Sequence, residues 1–240
     1  MLIITLCLAE TAVLLGLFAA DLQTRVFERL VRILHVPVER RPRMVQELRR
    51  KTFHLQGFVS IPIMDAVSPN FLHNASIVLV IIAFAILGIE RLRLHWPWLK
   101  ETYWKLFGVF LRSSEYEQIS GTFPLLLGLG VSLYFTDKQT AKFCYLVLFM
   151  GDAAASLFGI ALGHHKIIGK KSVAGSLACV VACAIASKYC FAEPAVVNIV
   201  TGVLCGICEL LCGTVILLDD NFCLPVMAIG VRYCVVKLFE

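Results

Sequence analysis

Apolar runs of membrane-crossing length recur along this chain near 2–20, 55–69, 75–89, 122–135, 141–161, 173–192, 195–218 and 222–239, and no other feature limits the fold so tightly. A bilayer core about 30 Å thick takes roughly 20 apolar residues per helix, so the runs predict about 7–8 spans, some of them short. Hydrophobic residues make up 59% of the chain and charged ones 16%, and the mean hydropathy of +0.82 exceeds what a soluble domain carries. Hydrocarbon admits only helices or closed barrels, and the runs are too long and too little alternating for a barrel. The expectation is therefore an all-α, polytopic transmembrane helical bundle forming one domain over 1–240. The run at 2–20 has no basic residue ahead of its apolar core and contains Glu10, which predicts a retained anchor rather than a cleaved leader.

Lysine and arginine give the orientation. Seventeen of the 22 fall in three stretches, 21–54, 90–121 and 162–172, which the positive-inside rule places on the cytoplasmic side. With eight spans both termini then lie on the opposite side. The arginines between 25 and 43 read as a membrane-surface amphipathic segment that attracts anionic headgroups; no nucleic-acid partner is expected from a basic excess distributed in this way. Trp96, Trp98 and Trp104 read as an interfacial belt.

Against this apolar background a few polar residues stand out. In Glu47-Leu48-Arg49-Arg50-Lys51-Thr52-Phe53-His54, the residues Glu47, Arg50 or Lys51, and His54 recur at three- and four-residue steps and share a helical face at the mouth of the second span. Arginine binds phosphate through a planar fork, lysine as a point charge, and histidine moves a proton near neutral pH. Asp152 lies inside an apolar run, where an ionisable side chain costs about 2.5–3.5 kcal/mol on insertion scales and marks function by default; it requires a metal, a cation or water. Gly151, Ala155, Gly159 and Gly163 form a small-residue face suited to close approach by a helix or a nucleotide. Gly169-Lys170-Lys171-Ser172 suggests a P-loop, but the preceding glycine is one residue too far away and no strand is expected before it, so that assignment is rejected. The N–H groups of a helix beginning at Ser172 still make an anion site, with Ser172 as its cap. Glu209, and Asp219-Asp220-Asn221 with Pro225, supply oxygen ligands of the kind Mg²⁺ takes. Glu90-Arg91 lies at the same level, either as part of the site or as a structural ion pair, and Arg93 and Glu101 read as structural ion-pair residues. Cys179, Cys183, Cys205, Cys208 and Cys212 fall inside apolar runs as small hydrophobes, and His164-His165 reads as loop.

In their order along the chain these residues resemble the CTP-dependent lipid-alcohol kinases (dolichol kinase, phytol kinase and the yeast-type CTP-dependent diacylglycerol kinase), a family distantly similar to phosphatidate cytidylyltransferase. The resemblance runs through Arg50-Lys51-x-x-His54, Glu90-Arg91, Gly121, Gly151-Asp152-x-x-Ala155-Ser156, Gly163, Lys170-Lys171-Ser172-x-x-Gly175-Ser176, Glu209, and Asp220-Asn221 with Pro225. It implies a cytoplasm-facing cavity that binds CTP with Mg²⁺ or another divalent cation and phosphorylates a polyprenol such as dolichol, phytol or diacylglycerol, in a bacterial inner membrane or the endoplasmic reticulum. By the same resemblance Asp152, Lys171 and His54 are catalytic, and Asp152 and Asp220 hold the metal. Arg50, Lys51, Lys170, Lys171, Ser172, Gly175, Ser176 and Asn221 bind nucleotide or phosphate, supported by Glu90, Arg91, Ser156, Glu209 and Asp219. The alternatives are a phosphatidate cytidylyltransferase, whose His-Gly-Gly and Asp-Arg-x-Asp signature is missing here, and a non-enzymatic transporter or scaffold.

Overall fold

A computed structural model of the chain describes residues 20–108, 111–216 and 218–239, without the side chains of 20–24 and 52–58. The expected first span at 2–20 and the side chain of His54 therefore lie outside the described residues.

Each apolar run from 55 onward falls largely within a helix. Among the described residues the α-helices are, in chain order, α1 (Ala20–Ile33), α2 (Arg41–Ala66), α3 (Pro69–His95), α4 (Pro97–Phe107), α5 (Thr122–Phe135), α6 (Lys138–Ala161), α7 (Val173–Cys190), α8 (Ala195–Leu211) and α9 (Asp220–Phe239). Four of them, α3, α6, α7 and α9, are long and apolar enough to cross a membrane, while α5 and α8 are shorter apolar helices. The boundaries have local causes. Ser68 caps α3, its hydroxyl accepting from the Phe71 N–H at 3.2 Å. Asp137 caps α6 through the N–H groups of Gln139 and Thr140, and its capping bonds offset the effect of burial, leaving its carboxyl below its ordinary pKa. The run expected to continue to 218 stops at Leu211, where the chain turns through Gly213 at φ +69°.

Helix α6 is the axis of the bundle. In its most apolar window 61% of residues are buried, against 17% for α3, which lies at the periphery. Phe143, Cys144, Val147 and Leu148 form the centre of the core, and α2, α5, α7, α8 and α9 pack around them. Within α6, residues Val147–Asp152 make a π turn, a wider turn that changes the phase of the residues following it.

The stretch 162–172, expected as a loop, folds into a β-hairpin. β1 (Lys166–Ile168) pairs antiparallel with β2 (Lys171–Ser172), Lys166 opposite Ser172 and Ile168 opposite Lys171, and Gly169 turns at φ +54°. A strand thus does precede Lys170, which corrects the expectation of none. It is a three-residue hairpin strand and not the longer strand that leads into a P-loop, so the rejection of that motif stands. Much of 21–54 is likewise helix rather than loop.

The described cysteines are free thiols, and all of them are buried except Cys234. Trp96 and Trp98 are exposed at the α3–α4 corner, whereas Trp104 is partly buried against the Tyr116 ring.

Candidate active site

The end of α6, the start of α7, the end of α8 and the start of α9 lie at one end of the bundle, because the hairpin and the 212–219 turn each reverse the chain there. Asp152 lies nine residues before the end of α6, about 14 Å below it at 1.5 Å per residue. Its cation is Lys51, from the middle of α2: the ammonium donates to Asp152 Oδ2, and both residues are 5% exposed. Next to Lys51 on α2, Arg50 forms a pair at 3.0 Å with Glu47, which lies about one turn earlier, and Glu47 also lies 4.0 Å from Arg112.

A second pair lies near the first. Lys171, on β2, donates to Glu209 near the end of α8. Burial alone would lower the Lys171 ammonium, but the Glu209 carboxylate more than offsets it, and Lys171 stays protonated above its ordinary 10.5. The two pairs form one electrostatic unit. Asp152 and Asp220 act on Arg50 and on Lys171 alike, and both act on Glu209.

Close backbone approach holds the rest in place. Ser172 caps α7, accepting from the Gly175 N–H at 3.2 Å. A Cβ on Gly175 would lie 2.6 Å from the Ala155 carbonyl oxygen and 3.3 Å from Gly159 Cα, so the small-residue face of α6 receives the first turn of α7. Asn221 is fixed similarly: a Cβ on Gly128 would lie 2.9 Å from its carbonyl oxygen, and one on Gly121 2.8 Å from its side-chain nitrogen. Asp219 immediately precedes α9, its carboxylate accepting from the Asn221 N–H at 2.9 Å.

Three buried oxygens in this region, Ser176 Oγ, Glu209 Oε2 and Asn221 Oδ1, have no hydrogen-bond partner among the described residues. Buried acceptors left unsatisfied need a reason, and two of these are the hard oxygen donors that suit a divalent cation. Among the described residues no three His, Cys, Asp or Glu side chains form a ready-made metal cage. That arrangement fits Mg²⁺ held by one or two carboxylates together with phosphate and water better than an all-protein site.

Other expected residues stand apart. Lys170 is exposed at the hairpin turn, and Arg91 faces outward. Ser156 donates within its own helix to the Ala153 carbonyl at 3.1 Å. Glu90 pairs with Arg93 rather than with its neighbour Arg91, at 2.6 Å, both residues being at most 1% exposed. Arg93 also donates to the carbonyls of Glu115, Tyr116 and Gln118, and Tyr103 and Ser120 donate to Glu90. Burial and this carboxylate push the Tyr103 phenol up to about 12. The cluster is a brace that ties residues 115–120 to the end of α3. Glu115, which sequence reasoning missed, accepts from the Gly121 N–H at 2.9 Å and from the Arg112 N–H at 2.6 Å; a lone acid between Ser114 and Tyr116 gives no pattern by which to find it.

Curated proteins similar to this chain share one name, CTP-dependent diacylglycerol kinase 1. The one from Eremothecium gossypii is 32% identical over 150 residues, covering 60% of this chain and 47% of the relative. The Saccharomyces cerevisiae protein is 28% identical over 220 residues, covering 81% and 75%, and the Schizosaccharomyces pombe protein is 31% identical over 137, covering 55% and 61%. The chain thus spans about half the length of the first of these relatives. No family model and no solved structure matches it. These matches, together with the apolar helices, make the chain a membrane protein similar to the CTP-dependent diacylglycerol kinases.

Proposed function

We propose that this chain transfers the γ-phosphoryl group of CTP to the hydroxyl of a membrane lipid alcohol, with diacylglycerol as the acceptor, on the cytoplasmic side of a bundle of seven or eight spans. The observation that carries the proposal is the convergence of Arg50, Lys51, Asp152, Lys171, Glu209 and Asp220, drawn from five separate segments, into one electrostatic unit at one end of the bundle. The diacylglycerol assignment rests on the names of the relatives.

In this reading each cation changes partner when nucleotide enters. Lys51 and Lys171 turn from carboxylate to phosphate oxygens, with Arg50 beside them, and the α7 N-terminus at Ser172, Gly175 and Ser176 presents its N–H groups to the same anion. Asp152 and Asp220, with Asn221, Glu209 and Asp219 around them, would hold a divalent ion, which supplies charge screening for the phosphates. The lipid hydroxyl attacks the γ-phosphorus, the bond to the β-phosphate oxygen breaks, and CDP leaves. The hydroxyl proton passes to a carboxylate of this set, Asp152 in our assignment, with His54 completing the catalytic group. Because phosphoryl transfer is loose, positioning and electrostatic stabilisation supply most of the rate. The Glu90–Arg93 brace lies outside the reacting groups and holds residues 115–120 in place.

The test is incubation of purified protein with Mg²⁺, γ-labelled or α-labelled CTP, and a panel of diacylglycerol, phytol, polyprenols and phosphatidate. Label from the γ position in diacylglycerol is the expected result, and γ-label in another alcohol would change the acceptor. Label from the α position on phosphatidate would overturn the kinase reading in favour of cytidylyl transfer, and no label from either would remove CTP.

A further inference from the structure

Helix α2 carries a second polar feature, on the side away from Asp152. At 100° per residue, Glu47, Arg50, Lys51 and His54 lie on one side of this helix, whereas Arg41, Pro42, Val45 and Arg49 lie on the other. This second side forms one wall of an open cavity of about 580 Å³, closed by Glu28, Val31 and Arg32 of α1, by Val38 and by Gly108. The volume is within the range of small-ligand sites. Its lining combines three arginines and one glutamate with an apolar floor of Val31, Pro42 and Val45, so it suits a ligand with an anionic head and an apolar body.

Three further observations bear on that ligand. The Arg41 guanidinium is oriented by donation from its Nε to the Val36 carbonyl at 3.0 Å, which leaves its terminal nitrogens to a ligand. The Arg32–Glu28 pair is loose, 3.9 Å apart with both side chains at least half exposed, so Arg32 changes partner at little expense. The cavity also lies against the first turn of α2, a 26-residue helix whose N-cap, Arg40, makes no side-chain capping bond, and an uncapped helix start favours an anion.

The surroundings place the cavity at a bilayer surface. Val26, Leu30 and Ile33 lie within one arc of α1 and are all exposed, as is Leu34 just after it, the stripe of a helix that lies in the membrane interface. We infer that the α1–α2 cavity binds the phosphate of an anionic phospholipid headgroup, as a site separate from the one that holds Asp152. A neutral lipid alcohol gives three arginines nothing to bind, so this ligand is not the acceptor proposed above, and the inference stands whether or not that proposal does.

The experiment is native mass spectrometry of the purified full chain titrated with dioleoyl phosphatidylglycerol or dioleoyl phosphatidylcholine. The expected result is preferential retention of phosphatidylglycerol, reduced about tenfold in Arg32→Gln/Arg41→Gln, since one good charged contact is worth about that factor, and largely kept in Arg32→Lys/Arg41→Lys. Val45→Trp, which fills the floor without altering charge, lowers retention as well and serves if the glutamine variant does not remain monodisperse. Millimolar inorganic phosphate distinguishes the sources: failure to displace the lipid supports the headgroup, and displacement by phosphate alone overturns that choice in favour of a soluble phosphate ester. Equal retention of both lipids, or unchanged phosphatidylglycerol retention in the glutamine and Val45→Trp variants, overturns the site.

Discussion

Lys51→Met removes the cation from a carboxylate that is 5% exposed in the middle of the bundle. Taking one partner from a buried ion pair costs about 3–5 kcal/mol, whereas replacing both partners with apolar groups of similar volume is often neutral. For a chain of this size 1 kcal/mol is worth about 2–4 °C in melting temperature, so Lys51→Met should melt roughly 6–20 °C below wild type. Lys51→Met/Asp152→Leu should recover most of that loss. Thermal unfolding of the detergent-solubilised proteins, followed by size-exclusion recovery after heating, measures the two shifts. The same preparations then separate stability from chemistry: neither variant, nor Asp152→Asn, should phosphorylate diacylglycerol, although the double variant is as well folded as wild type. Two results would refute the reasoning. A Lys51→Met protein that melts at the wild-type temperature would mean that the pair is not formed, and near-normal turnover by Asp152→Asn would remove Asp152 from the mechanism.

Arg93→Met should cost about 3–5 kcal/mol, because Glu90 is 0% exposed, and should make residues 113–120 sensitive to limited proteolysis; an unchanged digestion pattern would count against the brace. Gly175→Val places side-chain carbons where the Ala155 carbonyl oxygen already lies 2.6 Å from a Cβ, so it should lower stability by about 1–3 kcal/mol and reduce turnover by moving Ser172, both readable by melting and by assay at saturating CTP. The Lys171 ammonium titrates above 10.5 in the folded protein, so its stabilisation is complete below 10.5 and is lost as pH rises through the higher folded value. Wild type should therefore lose more stability above pH 10.5 than Lys171→Met does, and parallel pH–stability curves for the two would contradict the pairing with Glu209.

Helix positions were legible in the sequence because the apolar runs record them directly, as at 75–89 in α3 and 173–192 in α7. The residues that gather at the site were legible too, since a carboxylate such as Asp152 or Glu209 in an apolar run is expensive unless something partners it. Their partners were not. A period of 3.6 residues gives the face on which Lys51 lies but not the helix it meets, so its bond to Asp152, 101 residues away, belongs to tertiary packing alone. The π turn at Val147–Asp152 is hidden for a different reason: every residue in it but Asp152 and Gly151 is an ordinary helix former in an apolar run. The hairpin at 166–172 is too short for a strand pattern to show, and Glu90 beside Arg91 suggested a neighbouring pair, while side chains three apart, as in Glu90–Arg93, are the ones that meet on a helix.

The two ion pairs of the site also bear on how the chain is made. In each the cation is synthesised first, Lys51 before Asp152 and Lys171 before Glu209. Synthesis runs from α2 to α6, so Lys51 exists before Asp152 is made and can serve as its counter-charge against the insertion penalty of about 2.5–3.5 kcal/mol for a lone acid. Glu209 arrives in α8 under the same condition. Reversing the charges, with the acids on α2 and β2 and the lysines on α6 and α8, would keep both pairs in the finished protein yet change which unpartnered charge each nascent helix brings to the bilayer, and the yield of inserted protein would measure how much the order of synthesis contributes to assembly.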